Sequence, residues 1–132
     1  ETEKRNLEKE LRNAEKLDAI GRFTRNENMI VSSSDDATII IWDIETCERV
    51  RTIRGHDKAV GTCVLTADNR YILSGSEDYT IRIWDFESGK EMEKIELLWV
   101  PRAIAISPTN PSQIITANGN GTLTEFNIPI VI

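Results

Sequence analysis

The sequence predicts an all-β protein of three four-stranded antiparallel units, with a short α-helix in front of them. Three observations carry that prediction. Runs rich in Ile, Val and Thr are separated by turn residues at roughly 8–12-residue intervals, the texture of an all-β repeat protein. A strand-like hexamer recurs at a fixed step: "TIIIWD" at residues 38–43, "TIRIWD" at 80–85 and "TLTEFN" at 122–127, each 42 residues after the last. The first 17 residues follow a different period, that of a helix.

That leading segment, "ETEKRNLEKELRNAEKL", contains no Gly and no Pro. Leu7, Leu11, Ala14 and Leu17 recur at steps of 4, 3 and 3, which places them on one helical face. Glu1 with Arg5, and Glu8 with Arg12, are favourably ordered i, i+4 pairs worth about 0.2–0.5 kcal/mol each. A lone helix of this length is marginal in water. Its leucine stripe is therefore expected to pack on its own domain or on a second copy, the latter as a short coiled coil.

From residue 18 onward the chain divides into repeats at about 18–55, 56–97 and 98–132. In the middle repeat, strands are expected at 60–65, 71–76, 81–85 and 92–97, joined by the turns "TADNR", "EDY" and "ESGK". Side chains along "TIRIW" alternate with the period of a strand. Short turns between such strands imply an antiparallel meander. The first repeat overlays the second without a gap: "NMIVSSSDDATIIIWDIET" (28–46) on "RYILSGSEDYTIRIWDFES" (70–88). "SQIITANGNGTLTEFNIP" (112–129) overlays both, with one inserted residue in the preceding turn "ISPTNPSQ". A fixed step of this size is the mark of a repeat architecture.

Composition narrows the function classes. An apolar share of 39% supplies a core, and 132 residues suit one domain. A formal net charge of −6 argues against a dedicated binder of nucleic acid or of an anionic membrane, since either needs a basic field. No apolar run approaches the roughly 18 residues of a spanning helix. Cys47 and Cys63 are too few for a disulfide framework and read as free thiols in a reducing, cytoplasmic setting. The lone histidine, His56, and the absence of Cys-x-x-Cys or His-x-x-x-His spacing give no metal site, and no motif calls for a cofactor. The chain starts at Glu1 and ends on "IPIVI", inside an expected outer strand, so a longer parent chain is expected.

The repeats resemble the tryptophan–aspartate (WD) repeat family of β-propellers, whose signature runs from Gly-His to Trp-Asp. Gly55-His56 and Trp84-Asp85 supply both ends in the middle copy, and "SGSEDYTIRIWD" is the most characteristic segment. The resemblance covers residues 18–132. It implies a partial β-propeller of three blades. It also implies a hydrogen-bonded set of loop His, strand Ser or Thr, turn Asp and strand Trp, falling here on His56, Ser74, Asp78 and Trp84. The first copy keeps Ser32, Asp36 and Trp42 without a preceding His. The third has Thr116, Asn120 and Phe126, so its network is expected to be weakened or absent.

Three blades cannot close a ring, and both end blades are expected to expose an apolar face. Three completions are open: further blades from the same longer chain, a second copy, or a different chain.

The resemblance implies a non-catalytic protein–protein interaction scaffold or adaptor. The alternative is a regulatory or substrate-recognition arm of a larger signalling, ubiquitin-ligase or enzyme assembly. Ligase substrate receptors in the family often carry a basic residue two places after Trp-Asp, and here Glu45 and Glu87 count against it. Partner contacts are expected on one loop face, at Asp35, Asp57, Lys58, Glu77, Tyr79, Trp99 and Arg102, with Trp99 and Arg102 as anchors. Trp99 could equally be buried between blades. Ser74, His56 and Asp78 contain the residue types of a hydrolytic triad but lack a Gly-x-Ser-x-Gly elbow. Asn120-Gly121-Thr122 matches a glycosylation sequon, yet reads more simply as a tight turn.

Overall fold

The computed structural model describes residues 24–26, 29–66, 70–107, 109–110 and 112–128. The expected helix over 1–17 lies outside these residues. The first sheet is a meander of β1 (Thr24–Asn26), β2 (Met29–Ser33), β3 (Ile39–Asp43) and β4 (Glu48–Ile53), in that spatial order. The second repeats it with β5 (Val60–Leu65), β6 (Tyr71–Ser76), β7 (Thr80–Asp85) and β8 (Glu91–Glu96). The third has β9 (Pro101–Ile106), β10 (Gln113–Asn118) and β11 (Leu123–Asn127). All pairings are antiparallel. Most of "IPIVI", where the outer strand of the third unit was expected, falls outside the described residues.

The 42-residue step reappears in the backbone. Ile30 opposes Trp42, Ile72 opposes Trp84 and Ile114 opposes Phe126. The turn after each of β2, β6 and β10 takes a positive φ at the same step: 74° at Ala37, 67° at Tyr79 and 86° at Gly121. Only the third copy uses glycine there, the residue that adopts this geometry without strain. In all three copies a threonine one position later secures the turn. The backbone N–H of Thr38, Thr80 and Thr122 donates to Asp36, Asp78 and Asn120 at 3.1, 3.0 and 3.2 Å. Each threonine hydroxyl donates to the same oxygen. Local side-chain bonds of this kind offset the cost of a left-handed residue.

Side-chain alternation decides which face packs on which sheet. Val31, Ile39, Ile41 and Ile53 of the first sheet pack on Val60, Cys63, Ile72, Trp84 and Phe86 of the second. The opposite face of the second sheet, with Tyr71, Leu73, Ile81 and Ile83, packs on Ile104, Ile114 and Ile128. Full burial of each large aliphatic side chain contributes roughly 1.5–3 kcal/mol, so these two interfaces dominate the fold's cohesion.

The two end faces differ from each other, and only the first departs from the expectation that both are open. On the first sheet Ile40, Trp42 and Ile44 are buried as a separate cluster, so this face is not open. The Arg49 guanidinium contributes by lying 5.2 Å from the Trp42 ring centroid. The outer face of the third sheet is open. Ile115 and Leu123 are 38% and 74% exposed, while Leu73 and Ile81, one step earlier, are at 0%.

Candidate functional site

The second sheet holds a buried polar chain that begins at Trp84. Its indole Nε1 donates to Ser74 Oγ at 2.8 Å. Ser74 Oγ lies 2.6 Å from His56 Nε2, and His56 Nδ1 lies 2.9 Å from Asp78 Oδ2. An indole can only donate, and a carboxylate can only accept. With burial favouring the uncharged ring, the arrangement fits the neutral tautomer of His56, in which Nδ1–H donates to Asp78 and Nε2 accepts from the Ser74 hydroxyl. Burial lowers the His56 pKa below its ordinary value, with Asp78 acting in the opposite direction. Burial also opposes the charge on Asp78, but hydrogen bonds from Thr80, the Asp57 N–H and His56 outweigh it and hold that carboxyl at about 2.

Gly55 is required by close approach. A Cβ there would stand 2.6 Å from Cη2 of Trp84. The Gly-His pair thus works as a unit, the glycine admitting the indole edge and the histidine completing the polar chain.

Sequence reasoning missed Arg82. It is 6% exposed, on the same face of β7 as Trp84, and donates to the Gly55 carbonyl at 2.6 Å and to Glu91 Oε1 at 3.0 Å. Its Nη2 also lies 3.4 Å from Asp78 Oδ2, and Nε donates to Thr80 Oγ1. Arg82 thereby ties β7 to β8 and to the connector entering β5. The signal was in the hexamer itself: a charged residue stands at the alternation position of the buried Trp.

The other two sheets answer the missing histidine differently. In the first, Trp42 Nε1 donates to Ser32 Oγ at 2.9 Å, while Asp36 serves the turn through Thr38. In the third, the expected loss is replaced by a different network. Thr116 Oγ1 donates to Asn118 Oδ1 at 2.9 Å, and Asn118 Nδ2 donates to Thr122 and Thr124 hydroxyls at 3.0 and 2.9 Å. Asn118 was not singled out in the sequence. Asn120 holds the turn, its Oδ1 accepting from Thr122.

The row Asp78–His56–Ser74 has the order of a hydrolytic triad, but Ser74 is at 0% exposure and its oxygen already accepts the indole N–H. A nucleophile needs a substrate within reach. Among the described residues no group of three or more His, Cys, Asp or Glu side chains could hold a metal ion.

The accessible chemistry lies on the loop face built by the connectors into β5 and β9 and the turns after β2, β6 and β10. Asp35, Asp57, Lys58, Glu77 and Arg102 are exposed there. Tyr79 is 52% exposed. The buried chain fixes this face: the Asp57 N–H donates to Asp78 Oδ2 at 3.0 Å, and the Glu77 N–H donates to the Ala59 carbonyl at 2.9 Å. Trp99 is half-buried, and its indole nitrogen is shielded without a hydrogen-bond partner among the described residues. Depressions mark the face among the described residues. One, of about 290 Å³, lies between the second and third sheets and is lined by Ala59, Gly61, Ser76, Glu77, Val100, Pro101 and Arg102. Another, of about 280 Å³, includes Asp57, Tyr79, Lys94 and Glu96.

Comparison with known proteins agrees with this architecture. The family described as "WD domain, G-beta repeat" matches residues 17–43 and 47–85, half of the chain. Among solved structures, the chain is similar to the Cps50 (Swd1) β-propeller domain of Myceliophteria thermophila, with a TM-score of 0.74 and 26% identity over 84% of this chain and 34% of that one. It is similar also to the WD40 β-propeller domain of Doa1, with a TM-score of 0.70 and 27% identity over 76% of this chain and 33% of that one. The chain therefore spans about a third of the length of these propellers.

Proposed function

This chain belongs to the WD-repeat family of β-propellers, and from that premise we propose that it acts as a non-catalytic adaptor whose loop face binds other proteins. WD40 propellers are generally protein–protein interaction scaffolds. One observation carries the reading for this chain: its exposed polar and aromatic side chains stand on turns fixed by hydrogen bonds to the inner polar chain. Asp57 and Tyr79 flank Asp78, whose carboxylate is fixed from the inside by His56 and Thr80. A rigid face loses little conformational entropy on binding, which favours recognition. The net charge of −6 supports a protein partner over a nucleic acid or an anionic membrane. Two cysteines are too few for a disulfide framework, which supports a reducing, cytoplasmic setting.

The open face of the third sheet supports a second element of the proposal: another sheet covers Ile115 and Leu123, from the same longer chain or from a second copy. The propellers it resembles are about three times as long, which is consistent with the first source.

The test is comparative capture. The protein and a variant with Asp35, Asp57, Lys58 and Tyr79 all changed to Ala are used as baits, and bound proteins are identified by mass spectrometry. The variant should keep its melting temperature and lose a defined set of proteins. Identical sets from both baits would sink the loop-face assignment.

A further inference from the structure

The inference concerns the chemistry of the cleft between the second and third sheets, and it rests on the loop-face reading above. The inner strands on either side carry the same irregularity. In β5 the pairing passes from Val60–Ser76 to Thr62–Gly75, which leaves Gly61 as an extra residue. In β9 it passes from Ala103–Ala117 to Pro101–Asn118, which leaves Arg102 as the extra residue. A one-residue bulge re-aims a side chain out of the ladder. Both bulged residues line this cleft. A Cβ on Gly61 would meet nothing within 4 Å, so the cleft is open at that point for want of a side chain.

Two opposite charges stand on the walls. Glu77 comes from the turn after β6, and Arg102 from the bulge in β9; both are exposed and line the cleft. Neither appears in an ion pair among the described residues, and they do not pair with each other. Arg102 Nε lies near Gly119, where an added Cβ would approach it to 3.3 Å. Val100, Pro101 and Ala59 add an apolar part to the lining. At about 290 Å³ the cleft is at the small end of pockets that enclose whole ligands, roughly 300–1,000 Å³, and suits part of an extended chain.

We propose that this cleft binds a peptide segment carrying one basic and one acidic side chain around a small apolar residue. The basic group faces Glu77, and the acidic group faces Arg102, whose planar guanidinium suits a carboxylate. A segment of a single sign meets attraction on one wall and repulsion on the other. Charge complementarity of this kind fixes the direction in which the segment lies.

Selection of random displayed heptapeptides on the folded protein tests the proposal. Wild type should enrich peptides with a basic and an acidic residue at a fixed spacing and in one order. The double reversal Glu77→Arg with Arg102→Glu should enrich the opposite order. It should bind the wild-type peptides at least tenfold more weakly. Gly61→Val should fill the cleft and remove binding while melting as wild type does. Enrichment without charge pairs, the same motif from wild type and the reversal, or binding indifferent to Gly61→Val would overturn the proposal. None of these outcomes touches the loop-face reading, since the capture experiment varies Asp35, Asp57, Lys58 and Tyr79 and leaves Glu77 and Arg102 in place.

Discussion

Trp84 and Ser74 are ten residues apart on neighbouring strands, and the 2.8 Å bond from the indole to the hydroxyl sits at the junction of three devices. It anchors a ring that packs on the first sheet, supplies the acceptor that a buried indole needs, and sets the serine proton toward His56. Trp84→Ala should therefore cost roughly 3–5 kcal/mol as a large core truncation. Ser74→Ala removes only an oxygen but strands the indole N–H and a histidine nitrogen. Each buried orphan costs about 1–3 kcal/mol. Chemical denaturation measures both. A Ser74→Ala loss below about 0.5 kcal/mol would show that the hydroxyl is replaceable by water.

Gly55 tests the same packing from the other side. With its Cβ position 2.6 Å from Trp84 Cη2, Gly55→Ala should cost about 1–3 kcal/mol as overpacking. Trp84→Phe removes the crowding atom, so the double variant should lose less than the sum of the two single losses. Strict additivity would mean that the glycine is needed for another reason.

The pH dependence follows from the tautomer. His56 is the lone histidine of the chain, and its folded pKa is lowered from 6.5. The unfolded chain then binds more protons below about 6.5, so stability falls as pH drops through that value toward the folded pKa. Asp78 is lowered from 3.8 to about 2, so its contribution is complete above 3.8 and disappears as pH falls to about 2. Melting temperature against pH should show two separate declines. His56→Gln should abolish the upper one and leave the acid one. A melting temperature flat across the upper window in the wild type would refute the neutral, buried histidine.

Much of this was legible because repetition carries information that one segment lacks. Alternation and repetition in "TIIIWD" and "TIRIWD" pointed to β3 and β7, the family resemblance implied the roles of Ser74, Asp78 and Trp84, and the 42-residue step carried those roles to Ser32, Asp36 and Trp42. Two things were missed. Arg82 occupies the place of Ile40, and only the three-dimensional meeting of Gly55, Asp78 and Glu91 explains a buried cation there. Asn118 occupies the place of Ser34 and Ser76, where its longer amide reaches two threonines on the facing strand side. Both substitutions change which partners can be reached, a matter of distance that strand period does not encode.

The open third sheet gives the last prediction. Ile39, Ile81 and Leu123 are equivalent positions at 1%, 0% and 74% exposure. Truncating a buried residue of this kind costs about 2–5 kcal/mol, whereas an exposed one changes stability by no more than about 0.5 kcal/mol. Ile81→Ala should therefore be severe in any setting. In the 132-residue chain on its own, Ile115 and Leu123 leave an apolar face that favours association. Sedimentation should show a mass that rises with concentration, and Ile115→Glu with Leu123→Glu should return it to that of one chain. If the double variant sediments as the wild type does, association runs through another surface. In a longer parent or a closed ring the same face is covered. Leu123→Ala should then approach Ile81→Ala in cost, because the position would be a core position of the same kind.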